Sequence, residues 1–358
     1  MRTPTYDDSP IRRRTIVRAA LSAVAAAAGA VSIATLVSSF SGALDAVGDL
    51  NIGFLVAAVA VEGLSYALLG AQLRRLAGPD ARLPRRSALR LALVVYGFGI
   101  VTPASPAEGL ALGGSELRRR GLSTRRAALT LGFMEWYSAA ALVGLAAVNV
   151  LAVAALGLLP DDLVVPLAGG AIVALVAVAG ASVALRRRST AERLAVVLGA
   201  LAWWRPRPPV EDRRATGAAW HDEAMQVAGS GANRLTLLGL SLATWLADAL
   251  CLQLALRAAG VSVPFPVLLL AYTVGVLATL VPLLPGGLGL VEAAIPLVLA
   301  SFGVPVAAAL AGTLAYRAIG TVLPAGAGAL AVPGMLLARR AGPAGRRPEP
   351  ALARAAAA

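Results

Sequence analysis

The sequence predicts an all-α integral membrane protein with about six full spans and two broken re-entrant hairpins, arranged as an inverted-topology repeat. Hydrophobic residues make up 58% of the 358 residues and charged residues only 14%, whereas soluble domains are about 45–50% apolar and about 25% charged. Long apolar runs recur between residues 16 and 337. The basic residues lie in short clusters between these runs, which is typical of membrane topology signals.

Six apolar runs are long enough to cross the hydrocarbon core as helices, which takes about 20 residues. The first run is longer than the ~7–15-residue apolar stretch of a cleaved signal peptide, so we expect it to remain as a span. The predicted spans are 16–40, 52–73, 127–157, 163–185, 235–257 and 305–337. We expect residues 1–15 to form an N-terminal arm, 186–234 a cytoplasmic loop and 338–358 a disordered tail.

Two further apolar segments, 88–117 and 266–302, are interrupted by glycine and proline. Proline removes a helix donor and glycine permits tight turns, so a helix is expected to break at these positions. Each half is short for a span, and we therefore predict two re-entrant hairpins. Pairs of full spans stay open as an alternative, because they too would return the chain to the side it entered.

All 32 basic residues are arginine, and the formal net charge is +13. If the N-terminus is inside and each hairpin returns to its own side, 30 of the 32 arginines fall on one side of the membrane. The positive-inside rule then predicts a multi-pass protein of the cytoplasmic membrane with both termini cytoplasmic. The same clustering argues against nucleic acid as a partner.

The order span, span, broken hairpin, span occurs twice, in residues 16–157 and 163–337. The first copy starts inside and the second starts outside. Hydropathy and orientation therefore predict two halves of inverted topology within one transmembrane domain, 16–337.

Several ionisable residues lie inside the apolar runs, where each costs about 2.5–3.5 kcal/mol at a helix centre. The acids within spans are Glu62, Glu135 and Asp248, and Arg317 lies within the last span. Glu108 and Glu116 flank the first break, and Glu292 follows the second. Ion pairing between helices is one interpretation. One deep arginine cannot neutralise all of these acids, however, so the set favours a polar cavity within the bilayer.

The second break contains the glycine-rich stretch Pro285-Gly286-Gly287-Leu288-Gly289. A helix that begins near Gly287 would present free backbone N–H groups and a positive dipole end, which favour an anion such as a lipid phosphate. Close helix packing is the alternative role for these glycines.

The chain contains one cysteine and one histidine, and no phosphate-binding loop or HExxH motif. We therefore expect no metal, no cofactor and no enzymatic activity.

The residues around both breaks resemble the lysylphosphatidylglycerol synthase transmembrane family, whose members are also called flippase-like. The resemblance is carried by residues 285–294, 302–305, 315–317 and Pro324 in the second half, and by 102–106 and 114–123 in the first. It implies a membrane domain that translocates a lipid. Two-domain members add a soluble synthase domain, and we expect this chain to lack that activity. The arginine of the family's proline–arginine–glycine–glutamate pattern has no counterpart among residues 103–108.

We therefore predict a flippase or transporter that moves a phospholipid or a polyprenyl-linked lipid, with a membrane lipid as its ligand. The candidate substrate-binding residues are Pro103, Glu108, Glu116, Glu135, Asp248, Pro285, Gly286, Gly287, Gly289, Glu292, Tyr316 and Arg317. The first alternative is a non-transporting membrane partner of an envelope lipid or glycan biosynthesis enzyme. A membrane-embedded enzyme acting on a polyprenyl lipid ranks below both, and no oligomeric state is predicted.

Overall fold

The computed structural model describes residues 50–98, 107–201, 209–279, 287 and 289–340, and its regular elements in this part are all helical. The helices are α1 (Ile52–Ala77), α2 (Arg85–Ala92), α3 (Ala107–Arg119), α4 (Thr124–Ala155), α5 (Asp161–Leu185), α6 (Arg188–Leu201), α7 (Val210–Ala228), α8 (Gly231–Ala258), α9 (Phe265–Ala278), α10 (Leu290–Ser301), α11 (Val306–Arg317) and α12 (Leu323–Arg340). A π turn at Leu93–Gly97 continues α2, and another at Ala318–Val322 joins α11 to α12.

Five helices in the described part are apolar and 25 to 32 residues long: α1, α4, α5, α8 and the continuous stretch Val306–Gly334. At 1.5 Å per residue each exceeds the ~30 Å hydrocarbon core. These helices confirm the predicted all-α membrane class and correspond to five of the predicted spans. The predicted span 16–40, the arm 1–15 and the tail beyond residue 340 lie outside the described residues.

Polar side chains fix where three of the long helices begin. The Asn51 Oδ1 accepts a hydrogen bond from the Gly53 N–H at 3.0 Å. The Ser123 and Ser230 hydroxyls accept from the N–H groups of Arg126 and Asn233 in the same way. Each cap satisfies an N–H that the first turn of a helix leaves free, so each of these helices begins one residue after its cap.

Both predicted broken segments contain two short helices. The first comprises α2 with its π turn, and then α3 of 13 residues. The second comprises α9 of 14 residues and α10 of 12 residues, which pack side by side at Gly275, where a Cβ atom would lie 2.7 Å from Ile295 Cγ1. Helices of 12–14 residues extend about 18–21 Å, well short of the ~30 Å core. Helix length therefore favours re-entrant hairpins over full spans.

The central helices of the two halves, α1 and α8, pack against each other in antiparallel orientation. At one end the Asn51 N–H donates to the Ala258 carbonyl at 3.0 Å. Towards the other end the Gln72 Nε2 donates to the Ser241 Oγ at 2.7 Å. Equivalent helices of a parallel repeat would run in the same direction, whereas those of an inverted repeat run in opposite directions. The packing is therefore the one that the inverted repeat predicts.

The remaining contacts between the halves also form a matched pair. The last helix of the second half, α12, packs against the first hairpin, so closely that a Cβ atom on Gly97 would lie 2.5 Å from the Pro324 carbonyl oxygen. Likewise the last helix of the first half, α4, packs against the second hairpin, where the Asn149 Nδ2 donates to the Pro266 carbonyl at 3.0 Å. Each half thus covers the hairpin of the other.

The polar connection 186–234, predicted as a loop, is largely helical. Helices α6 and α7 cross closely at Gly217, where a Cβ atom would lie 2.7 Å from the Ala191 carbonyl oxygen. The pair packs on α4 and lies at the end of the bundle where α1 ends and α8 begins. We call this the arginine-rich end, because Arg74, Arg75 and Arg119 lie there in the last turns of their helices.

Candidate functional site: a buried polar cluster

Asp248 of α8 forms the centre of a buried group of polar side chains. Its Oδ2 accepts hydrogen bonds from the Tyr272 hydroxyl at 2.7 Å and from the Tyr316 hydroxyl at 3.1 Å. Both tyrosines are buried, and Tyr272 also packs edge-on against Trp245 with 6.3 Å between ring centroids. Three separate elements, α8, α9 and α11, therefore converge on one carboxyl group.

A second carboxyl group adjoins the first. Glu62 of α1 is 6% exposed and lies beside Asp248 and the Cys251 thiol. Its Oε2 atom is buried without a partner among the described residues. Two carboxyl groups can share a hydrogen bond only when one of them carries a proton, because a carboxylate is an acceptor alone. A proton at the contact between α1 and α8 would therefore let these two carboxyl groups bond to each other.

An ion pair extends the group towards the second hairpin. The Arg317 Nε donates to the Glu292 Oε1 at 2.8 Å, and both side chains are largely buried, at 6% and 12% exposed. The Glu292 Oε2 also accepts from the Gly289 N–H at 2.7 Å. Glu292 therefore caps the N-terminus of its own helix, α10. The helix end predicted to bind an external anion already holds a carboxylate in this conformation.

We refer to these residues as the polar cluster: Glu62, Asp248, Tyr272, Glu292, Tyr316 and Arg317. Counted from the end of the bundle opposite the arginine-rich end, Glu62 follows Ile52 by about ten residues, and Asp248 precedes Ala258 by the same number. Arg317 lies a similar distance after Val306. At 1.5 Å per residue each lies about 15 Å from that end, close to the middle of a ~30 Å core. Several independent helices therefore place charged groups at one depth.

Comparison with known families gives one match. The family model described as the lysylphosphatidylglycerol synthase TM region matches residues 16–328, which is most of the chain. The protein belongs to the lysylphosphatidylglycerol synthase transmembrane family. Comparison with curated proteins gives no match. Membership confirms the resemblance inferred from the motifs, and it identifies a multi-pass membrane protein of a lipid-related family.

The family's motif residues fall partly inside and partly outside the polar cluster. Glu292, Tyr316 and Arg317 are members of the cluster, and Gly289 donates to it. Gly287 is buried and packs against Thr279, where a Cβ atom would lie 2.9 Å from Cα. Both glycines have positive φ, of 67° and 79°, which only glycine adopts without cost. Pro103, Pro285 and Gly286 lie outside the described residues.

The three remaining predicted residues do not join the cluster. Glu116 lies at the arginine-rich end, where Arg119 and Arg120 pair with it at 3.1 Å and 2.9 Å. Glu135 is exposed on α4 and lies near Tyr96. Glu108 is exposed in the first turn of α3. The structure therefore separates the predicted set into one central group and three acids that lie outside it.

The polar cavity between the halves stays a prediction, because neither of the two cavities described next is lined by cluster residues. Cavities of about 530 Å³ and 670 Å³ lie elsewhere, the larger one between α4 and the α6–α7 pair. Within the cluster, Asp248 accepts from the two tyrosine hydroxyls and Glu292 accepts from Arg317. We call this conformation closed, because Glu292 pairs with Arg317 within the second half and Glu62 of the first half lies beside Asp248.

Three features of the cluster were absent from the predicted set of binding residues. Glu62 was recognised as an acid within a span but was not included in that set. Tyr272 was not selected, although it and the adjacent Thr273 are the polar side chains of the mainly apolar helix α9. The π turn after Arg317 was also not foreseen. It brings Gly320 beside Asp248, where a Cβ atom would lie 3.6 Å from Oδ1, and π turns often occur at functional sites.

Proposed function

We propose that this protein moves a polar lipid across the membrane and that the polar cluster receives the headgroup halfway. The observation that supports the proposal most directly is the Arg317–Glu292 ion pair at mid-depth, at the tip of a broken helix. Charged groups at this depth are costly and are retained mainly along substrate pathways. Family membership supports a role with lipids.

The ion pair has the chemistry of a dipolar headgroup. A lipid that carries a phosphate and an ammonium group presents one negative and one positive charge. Arg317 would take the phosphate, because a guanidinium binds oxyanions through several parallel hydrogen bonds. Glu292 would take the ammonium. Opening the internal pair then costs little, since each charge exchanges one partner for another.

The neighbouring carboxyl groups of Glu62 and Asp248 affect the net charge of the polar cluster. Glu62, Asp248 and Glu292 are three acids beside one arginine, so the cluster would carry excess negative charge if all were ionised. A proton shared by Glu62 and Asp248 reduces that charge when no lipid is bound. A cationic headgroup would reduce it when lipid is present, so proton and headgroup would compete. This competition gives the carrier a route to coupling with a proton gradient.

Lipid translocation in liposomes tests the proposal. The purified protein is reconstituted with lipids labelled in the headgroup or the acyl chain, and the labelled fraction that becomes accessible to a membrane-impermeant quencher is followed over time. We expect Arg317→Ala and Glu292→Gln to abolish protein-dependent translocation. Matched controls are Arg257→Gln, an exposed arginine of α8, and Glu192→Gln, an acid of α6 that pairs locally with Arg188. Wild-type rates in the two cluster variants would refute the site.

The alternative function, a non-transporting partner of an envelope enzyme, is favoured by one feature. The apolar cavity of about 670 Å³ beside α6 and α7 is lined by Trp136, Trp220 and Phe133 and could accept a partner's apolar segment. Translocation by the purified protein alone would exclude this alternative as the main role. Absence of translocation, together with stable co-purification of one membrane enzyme, would favour it.

A further inference from the structure

A basic cavity at the arginine-rich end, far from the polar cluster, remains without an assigned role. It has a volume of about 530 Å³ and is lined by the last turn of α1 and the loop that follows. We call it the arginine cavity; its lining residues are Arg74, Arg75, Gly78, Pro79, Arg82, Leu83 and Pro84. The mechanism proposed above uses none of these side chains.

The three arginines have little to bind within the protein. The Arg75 Nε donates to the Asn233 Oδ1 at 2.8 Å, which fixes that guanidinium. The side chains of Arg74 and Arg82 make no hydrogen bond or ion pair within the described residues. The only acid of the loop, Asp80, is 3.5 Å from Arg126 and so is paired with a fourth arginine. The cavity therefore concentrates positive charge that no internal anion neutralises.

The loop that presents Arg82 is rigid and is held in an uncommon conformation. A short 3₁₀ turn, Pro79–Ala81, follows α1, and prolines at 79 and 84 restrict the backbone on both sides. Arg82 itself is left-handed, with φ 41° and ψ 49°, and is the one residue other than glycine with positive φ in the described part. Arg120 Nη1 donates to the Arg82 carbonyl at 3.3 Å and braces this geometry. An L-residue with a side chain is disfavoured here, whereas glycine would not be.

The depth of the cavity indicates which anion it would meet. Helix α1 has 26 residues, so it extends about 39 Å and exceeds the ~30 Å core. Arg74 and Arg75 lie in its last turn and therefore reach the level of the lipid headgroups. Arginines that serve only as topology signals need no common cavity and no strained backbone. Here three of them converge on one concave site.

We propose that the arginine cavity binds the phosphate group of an anionic phospholipid in the adjacent leaflet. The site is independent of the polar cluster. The planar guanidinium groups present N–H donors in a geometry that matches phosphate oxygens, so a bound lipid would anchor the arginine-rich end in the membrane. The chemistry it recognises is a phosphate oxyanion. Because the cavity lies at the depth of the lipid headgroups, we expect a phospholipid rather than free phosphate to occupy it.

Two double variants separate a specific site from general surface charge. Arg74→Gln with Arg82→Gln removes two charges from the cavity, while Arg85→Gln with Arg86→Gln removes two exposed charges from α2 at the same end. Binding of phosphatidylglycerol to the full-length protein in detergent is measured by titration with native mass spectrometry, with phosphatidylcholine and inorganic phosphate as comparison ligands. We expect the cavity variant to bind phosphatidylglycerol at least about tenfold more weakly, from two lost charge-assisted hydrogen bonds, and the α2 variant to bind like the wild type.

Arg82→Gly is a second test, in which weaker lipid binding cannot be attributed to a less stable protein. Glycine relieves the left-handed backbone, so the thermal midpoint should rise, while lipid binding should fall because the guanidinium is gone. The proposal is overturned if both double variants weaken binding equally, if neither does, or if Arg82→Gly retains full binding. It is also overturned if inorganic phosphate displaces phosphatidylglycerol at equal or lower concentration, since the ligand would then be a soluble anion.

Discussion

Removing Arg317 should destabilise the protein more than removing Arg317 and Glu292 together. The Arg317 guanidinium is 6% exposed and donates to Glu292 at 2.8 Å, so its loss leaves a carboxylate that is 12% exposed with only the Gly289 N–H as a described donor. Breaking a buried pair by removing one partner costs about 3–5 kcal/mol, whereas replacing both partners by apolar groups is often nearly neutral. We therefore expect Arg317→Ala to lose about 3–5 kcal/mol of unfolding free energy, and Arg317→Ala with Glu292→Leu to recover most of it.

The assay is equilibrium unfolding in one fixed detergent of four proteins: the wild type, Arg317→Ala, Glu292→Leu and the double variant. Lipid translocation is then measured for the same four proteins. The recovered stability should not bring back translocation, because the double variant folds but has neither charge for the headgroup. A double variant that is destabilised by the sum of the single losses would show that the pair is not the relevant contact. A double variant that translocates lipid at the wild-type rate would refute the role of the pair in transport.

Three further predictions follow from the packing and hydrogen bonds. Gly97→Ala should cost about 1–3 kcal/mol, because its Cβ would meet the Pro324 carbonyl, while Gly144→Ala, which has nothing within 4 Å, should stabilise its helix by up to about 1 kcal/mol; equal effects in chemical unfolding would refute the close crossing of the halves. Tyr272→Phe with Tyr316→Phe should lower stability by about 1–3 kcal/mol per hydroxyl removed from Asp248, and an unchanged unfolding midpoint would contradict the described hydrogen bonds. Cys251 is fully buried beside Glu62, so maleimide should label it slowly in the native protein and faster in Arg317→Ala; fast labelling of the native protein would show that the closed cluster is not the main conformation.

The membrane class and the approximate helix positions could be predicted from the sequence because they depend on local properties. Apolar runs of about 20 residues have few stable alternatives to a spanning helix. The predicted span 52–73 is α1 at Ile52–Ala77, and the prediction ended early because Arg74 and Arg75 are polar residues that the helix carries beyond the core. The i,i+3 and i,i+4 spacing of Glu116 with Arg119 and Arg120 could likewise have identified that acid as locally paired.

The composition of the polar cluster could be predicted only in part. The cost of charge in the bilayer identified Asp248, Glu292 and Arg317 one by one. Which acid pairs with Arg317 is a tertiary fact, since Glu292 is 25 residues away on another helix. The two hydroxyl donors to Asp248 come from α9 and α11, and only their packing brings them together. The loop 186–234 was harder still, because helices α6 and α7 are stabilised by their mutual crossing at Gly217 rather than by strong local signals.

Transport by the wild-type protein in otherwise protein-free liposomes tests the central claim most directly. Three labelled phospholipids are compared: one with a phosphate alone, one with a phosphate and a quaternary ammonium, and one with a phosphate and a primary amine. A carrier that exchanges the Arg317–Glu292 pair for a dipolar headgroup should translocate the two lipids with a cationic group and move the purely anionic lipid more slowly. If none of the three lipids crosses faster than in empty liposomes, the polar cluster does not carry headgroups and the account is wrong.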